Sequence, residues 1–343
     1  QFPLPHSRGS SHGQTRITRR AYTDAFYTRM MDVCSRYWSE LRDATGSHIF
    51  RPVGYLAIGT VGGEFLNENI HCMAVNQAPY KLLSPEEFRL KYPMLRYGDN
   101  VGGLLDMEGG VLMADKALLA MQKCNTNTNK SRKKNTYRPN PPQKSFTSHG
   151  GTLRDGETMK RVVPGEVVTV HTDKGSYRGK ALILCCGPWT NQVLAHLNIR
   201  LPLKVISSYS TNLPFILFMT SWLFRCQPIR ISVCYWRERT RDSHSPSQLP
   251  TFFDHQCCGG HSIYGIPSLE YPGHVKLCLH NGPAIDAELR DTADSSHEQK
   301  LLEDYVRKHF PGLEHKPSIV ESCIYTMTPD THPVLDRHPT WNN

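Results

Sequence analysis

The run Leu182 Ile183 Leu184 Cys185 Cys186 Gly187 Pro188 Trp189 Thr190 Asn191 constrains the fold more than any other segment. Consecutive apolar residues leave no polar face for water, so residues 182–186 read as a strand covered on both sides. Gly187 and Pro188 then turn the chain, and Thr190 or Asn191 is placed to cap a helix. Other segments add both periods. Residues 24–45 carry Phe26, Met30, Met31, Cys34, Trp38 and Leu41 at helical spacing before Gly46, which predicts a core-facing helix. Ser84 Pro85 Glu86 Glu87 has the cap, the proline and the first-turn acids of a helix start. A further helix is expected over 298–309, with Leu301, Leu302 and Val306 on one face. Strands are expected at 231–237, 263–267 and 275–280, and a hairpin at 167–171 and 176–178 around the turn 172–175. Such a mixture predicts an α/β protein with more than one layer.

Composition narrows the class. A chain of 343 residues has room for two domains with real cores. Its longest apolar stretch, 213–224, is interrupted by Thr220 and Ser221 and falls well short of the ~20 residues of a spanning helix. No membrane partner is expected. The eleven cysteines follow no repeated spacing and read as reduced thiols of an intracellular protein. Cys257, Cys258, His255 and His261 lie close in sequence, but no second cysteine pair completes a zinc site, so no metal is expected.

The net charge of +9 has a local origin. No acid occurs between Lys116 and Arg154, while Lys123, Lys130, Arg132, Lys133, Lys134, Arg138 and Lys144 fall in that interval. The stretch 125–148 is rich in Asn, Thr, Ser, Pro and Lys without an apolar period, and reads as a linker. A nucleic-acid-binding arm shares that composition. It would hold only Tyr137 and Phe146 for stacking, so no nucleic-acid partner is expected.

Three segments carry chemistry. Glu321 Ser322 Cys323 Ile324 Tyr325 Thr326 Met327 Thr328 Pro329 Asp330 reads as a short strand with the Cys323 thiol on one side, ended by a turn. Residues 5–21 combine Gly9, Ser10, Ser11, His12, Gly13 and Thr15 with Arg8, Arg16, Arg19 and Arg20 and no acid, which favours an anionic ligand close to the backbone. In 275–280, Lys276 and His280 share one strand face, where the ordinary fate of a lysine is to point into water as an edge gatekeeper.

These segments, with the Gly187–Thr190 turn, resemble the monomeric sarcosine oxidase family, which includes the peroxisomal sarcosine and pipecolate oxidases of animals. The resemblance implies a FAD-dependent amine oxidase with a glutathione-reductase-like FAD domain and an antiparallel-sheet substrate domain. FAD would be bonded covalently to Cys323, with His12, Thr15 and Arg16 beside the flavin ring and Ser11 and Trp189 as further cofactor contacts. Arg19 would hold the substrate carboxylate, with Tyr325 also at the substrate. His280 and Tyr264 would line the amine site, and Lys276 would promote reaction with oxygen, a fixed cation lowering the barrier to forming an anion. Arg16 would stabilise negative charge on the reduced ring. The expected reaction converts a secondary amino acid such as sarcosine or L-pipecolate to an imine and oxygen to hydrogen peroxide. The resemblance further implies a small amino acid and oxygen as partners, a monomeric protein and a location in the peroxisome.

The same resemblance assigns residues 1–80, 150–200 and 318–343 to the FAD domain and 81–123 and 230–317 to the substrate domain. It leaves 124–149 and 206–228 as insertions, either lineage-specific additions or translated non-coding sequence. A dinucleotide-binding strand, glycine turn and helix would precede the Ser10–His12 loop, and a strand with a peroxisomal tripeptide would follow the last residue, so both ends are expected to be truncated. Two alternatives stay open: a family member that keeps this fold without binding FAD, and a nucleic-acid binder that uses the basic segment.

Overall fold

The computed structural model describes residues 2–3, 6–123, 150–199, 201, 228–258, 260–328 and 330–341. Both expected insertions, 124–149 and 206–228, lie outside the described residues except for Pro228. The first half holds β1 (Thr15–Thr18), α1 (Ala25–Thr45), β2 (Phe50–Arg51), β3 (Tyr55–Thr60), α2 (Glu64–Val75), β4 (Tyr80–Leu83), α3 (Pro85–Lys91), β5 (Val101–Asp106), β6 (Gly110–Met113) and α4 (Ala114–Lys123). There follow β7 (Met159–Val163), β8 (Val168–Thr172), β9 (Ser176–Gly179), α5 (Thr190–Ala195), β10 (Ile229–Arg237), β11 (Thr251–Cys258), β12 (His261–Ile266), β13 (His274–Leu279), α6 (Ser296–His309) and β14 (Ile319–Tyr325).

One eight-stranded sheet organises the molecule, in the order β14-β10-β13-β12-β11-β3-β5-β4. Its pairs are antiparallel apart from β11 with β3. Strands β3 and β14 hydrogen-bond in this sheet although their sequence positions fall on the FAD side of the expected division. A small sheet β1-β6-β2 carries the Ser10–Arg20 region, and β7-β8-β9 form a separate meander that contains the expected hairpin.

Alternation along the strands gives the large sheet two faces. One presents Leu56, Trp236, Phe252, Ile263, Val275, Leu277 and Leu279 to Phe88 of α3 and to Leu302, Tyr305 and Val306 of α6. Burying each such side chain contributes roughly 1.5–3 kcal/mol, so this layer holds the sheet flat against its helices. Local signals agree: the Ser84 hydroxyl and the Glu87 carboxylate close a capping box at α3, and Gly46 ends α1 in the left-handed conformation. The opposite face, with Ile229, Ile231, Val233, Tyr235 and Cys278, leans toward the β1 region.

Two expectations fail in whole or in part. Residues 181–186 form no strand, and Ile183 is 85% exposed. A strand persists only where a neighbour takes its N–H and C=O groups, and none of the described strands pairs with this run. Helix α1 forms within the expected bounds and meets a small core through Leu41 and the partly buried Trp38, which pack with Ile49, Ala117 and Ala120, but the rest of its expected face is not fully covered. Phe26 and Met30 are exposed, although α1 packs against α2 and α4.

Candidate active site

The second face of the sheet floors a cavity of about 790 Å³. Strand parity brings Tyr264 of β12, Lys276 of β13, His280 just after it, and Cys323 and Tyr325 of β14 to this one surface. The β1 segment forms the opposite wall with His12, Thr15, Arg16 and Arg19. Nine of the expected site residues therefore meet at one place, although 261 positions separate Thr15 from Lys276.

Lys276 is no edge gatekeeper. It lies between Tyr235 and Ile266 on a central strand and is 5% exposed. An ammonium so enclosed requires a counter-charge, and Glu270 supplies it, with its carboxylate 2.9 Å from Nζ. The Thr15 hydroxyl donates to the same carboxylate oxygen and lies 3.5 Å from Nζ. Glu270 went unrecognised in the sequence because it sits in the turn between β12 and β13, where no period marks it. The one available signal is indirect: an inward lysine on a central strand demands a partner.

Arg16 donates to the carbonyl oxygens of Ser10, His12 and Thr15, so its guanidinium is fixed by the loop it spans. This close folding requires Gly13, which has φ +118° and whose added Cβ would fall 2.5 Å from Arg16 Nη1. Burial, and then the charge of Arg16, pushes the His12 pKa down from its ordinary value, so the ring stays neutral beside the guanidinium. Arg19 stacks over Tyr22 at 4.5 Å and Tyr55 at 5.1 Å and donates from Nε to the Ala21 carbonyl. The buried Asp106 carboxylate fixes the backbone just beyond it by accepting from the Arg20 and Ala21 N–H groups.

His280 opens to the cavity between the rings of Phe253, Tyr264 and Tyr325, with centroids 5.5, 6.0 and 5.7 Å away. Desolvation by those walls, and then the Arg19 charge, pushes its pKa down to about 4. The imidazole is therefore neutral near pH 7 and offers a ring nitrogen that can accept a hydrogen bond from a bound ligand. The Tyr325 hydroxyl donates to that of Tyr264 at 3.1 Å, and burial raises both phenols so that they remain protonated.

A second cavity of about 680 Å³ shares Gly9 and His12 with the first. Ser11 and Trp189 line this one instead, together with Ser10, Cys186 and Pro188. Trp189 is held by its indole N–H, which donates to Glu288 at 2.7 Å. The Ser10 hydroxyl is buried there without a protein partner. The two cavities adjoin at Gly9 and His12, with Arg16, Arg19 and Lys276 lining the first and the spare Ser10 hydroxyl in the second, a lining that suits an anionic cofactor. Among the described residues no group of three His, Cys, Asp or Glu side chains is placed to hold a metal ion, and no helix is long and apolar enough to cross a membrane.

The family model described as FAD dependent oxidoreductase matches residues 143–343, more than half of the chain, and the protein belongs to that family. Its relatives are oxidases with a narrower name. Peroxisomal sarcosine oxidase of Homo sapiens is 38% identical over 100% of this chain and 77% of its own, and that of Mus musculus is 37% identical over the same shares. Monomeric sarcosine oxidase of Bacillus sp. (strain NS-129) is 25% identical over 100% and 78%. Among solved structures, NikD, an amino acid oxidase essential for nikkomycin biosynthesis, superposes with a TM-score of 0.71 at 20% identity over 96% of this chain and 75% of its own. L-proline dehydrogenase from P. horikoshii gives 0.70 at 16% over 97% and 76%. Those two likenesses concern the fold, which is mixed α/β as expected.

Proposed function

We propose that this protein oxidises the C–N bond of a secondary amino acid, with sarcosine and L-pipecolate as representatives, to an imine, and that oxygen is reduced to hydrogen peroxide. The convergence of Lys276, Cys323, Arg19, His280 and Arg16 on one cavity carries this reading. When bound, FAD supplies the two-electron acceptor that links the amine to oxygen. The chain's residues do the rest. Arg19, rigid against two rings, takes the substrate carboxylate. His280, neutral at pH 7, favours the amine form that has a lone pair. Tyr264 and Tyr325 close the amine side as neutral phenols. Lys276 and Arg16 provide fixed positive charge where negative charge develops. Overall the amine gives up two electrons and two protons, and oxygen takes up the same number to become hydrogen peroxide.

In this reading Cys323 forms the covalent bond to FAD, and His12, Thr15, Ser11 and Trp189 are noncovalent contacts to it. Cys323 suits the role because it sits on a paired strand, opposite Ile231, and lines the cavity. The enzyme works as a monomer in the peroxisome. The test is a denaturing gel of the full-length protein viewed for flavin fluorescence. A fluorescent band in wild type that disappears in Cys323→Ala is the expected result. Absence of flavin from native wild-type protein overturns the oxidase assignment, and a fluorescent Cys323→Ala band overturns the attachment site.

A further inference from the structure

We propose that Glu270 is the positioning residue of this site, the group that holds the Lys276 ammonium at one point of the cavity and ties it to the opposite wall. The inference rests on the oxidase reading and adds to it a residue that no sequence pattern marks. The Glu270 side chain is 1% exposed and that of Lys276 7%, so neither charge is served by bulk water. Every lone-pair direction that matters is taken by protein: one carboxylate oxygen receives the Lys276 ammonium and the Thr15 hydroxyl, and the other receives the Tyr235 hydroxyl. Burial and the adjacent carboxylate raise the Tyr235 pKa, so this phenol remains a donor.

The physical need is specific. A lysine carries four flexible methylenes, and an ammonium facing an open cavity of about 790 Å³ would be spread over several rotamers. A cation contributes to a rate only when it stands fixed at the position where charge appears. Glu270 selects one rotamer by a charge-assisted bond of 2.9 Å, and Thr15 couples that rotamer to β1, the strand that also carries Arg16. The carboxylate is itself anchored. Tyr235 also reaches Glu321 at 3.2 Å, and Tyr271 donates to Glu321 at 2.5 Å, so the turn holding Glu270 is braced against β14, which carries Cys323. A salt bridge that merely stapled the turn would need neither the Thr15 bond nor an ammonium facing the site.

The experiment uses the full-length, flavin-loaded protein with Glu270→Gln, Glu270→Asp and Lys276→Met. Two readouts are taken. In the first, flavin reduction by substrate without oxygen and reoxidation by oxygen are timed separately. Glu270→Gln is expected to keep the reduction rate within about twofold while reoxidation slows about tenfold or more, as in Lys276→Met. In the second, which needs no turnover, acylation of Lys276 by an amine-reactive reagent is followed by peptide mass spectrometry. An ammonium deprived of the bond that fixes its rotamer samples the open cavity, so labelling is expected to rise about fivefold in Glu270→Gln and to an intermediate extent in Glu270→Asp. Unchanged labelling in Glu270→Gln overturns the proposal, as does equal slowing of both half-reactions. If Lys276→Met reoxidises at the wild-type rate, the role given to Lys276 fails, while the labelling still decides whether Glu270 fixes that residue.

Discussion

Strand β10 and the run 182–186 carry closely similar side chains, Ile231 Ser232 Val233 Cys234 against Leu182 Ile183 Leu184 Cys185. Cys234 is fully buried between two paired strands, whereas Ile183 is 85% exposed in a segment with no pairing. Hydrophobicity alone therefore does not make a strand. β10 has β13 on one side and β14 on the other, and its apolar residues meet α6 beneath them. The run 182–186 has apolar side chains of equal quality and no such neighbours among the described strands. What separates the two regions is the satisfaction of backbone hydrogen bonds, which a sequence window does not contain.

Stability measurements can break this comparison. Phe252→Ala in the sheet core, where the ring is fully buried against Phe310, should cost about 3–5 kcal/mol in a denaturant midpoint series. Ile183→Ala should stay within about 0.5 kcal/mol. A large loss for Ile183→Ala would show that its run is packed after all, and the contrast with β10 would fall.

A pH series sharpens the same contrast by asking what the sheet does to charge. Asp254 on β11 is buried on the helix side, where Tyr97 and Tyr305 donate to it at 2.6 and 2.9 Å, yet desolvation still pushes its pKa up to about 6. Its folded value lies above the ordinary 3.8, so the folded state binds the proton more tightly than the unfolded chain does. Relative to Asp254→Asn, wild type should therefore lose stability as pH rises from about 4 to about 6, by about 2–3 kcal/mol, and change little above that. The comparison with the variant is essential, because buried His244, pushed down to about 4, loses stability in the opposite direction as pH falls through the same range. A difference between the two proteins that is flat across this window would show that Asp254 is not held in a dry environment.

The smallest effect is expected on α1. Met30→Gln on its exposed face should change the midpoint by less than about 0.5 kcal/mol, and a larger loss would mean that the face is covered.

Much of the site was legible because a single-residue signal and a strand period coincide there. Lys276 and His280 fall on one face simply by being four apart, and Cys323 reads as facing one side of a strand from alternation alone. The loop at Gly9–Arg16 announced an anionic ligand by its composition, and the structure brings it over that same face. Ser11 and Trp189 were grouped with these residues but line the adjoining cavity, since Ser11 sits one position before the His12 that divides the two spaces. Glu270 and Tyr235 were missed, for they act through distance rather than pattern. The helical period of α1 marks the helix, but only Leu41 and Trp38 of its apolar face reach a core while Phe26 and Met30 stay exposed, because amphipathicity states that a face is apolar and not that something covers all of it.

By itself the sequence determined several helices, the capping of α3 at Ser84 and the end of α1 at Gly46, the alternation that sorts each strand's side chains onto two faces, and the residue types able to serve flavin chemistry. These are local matters, settled by covalent geometry and the periods of helix and strand. Only the tertiary structure decided which apolar run became a strand, that Thr15 would stand beside Lys276, and that Glu270 would balance the lysine's charge. Pairing and desolvation depend on neighbours remote in the chain, and a charge becomes a functional group only when its surroundings fix both its position and its partner.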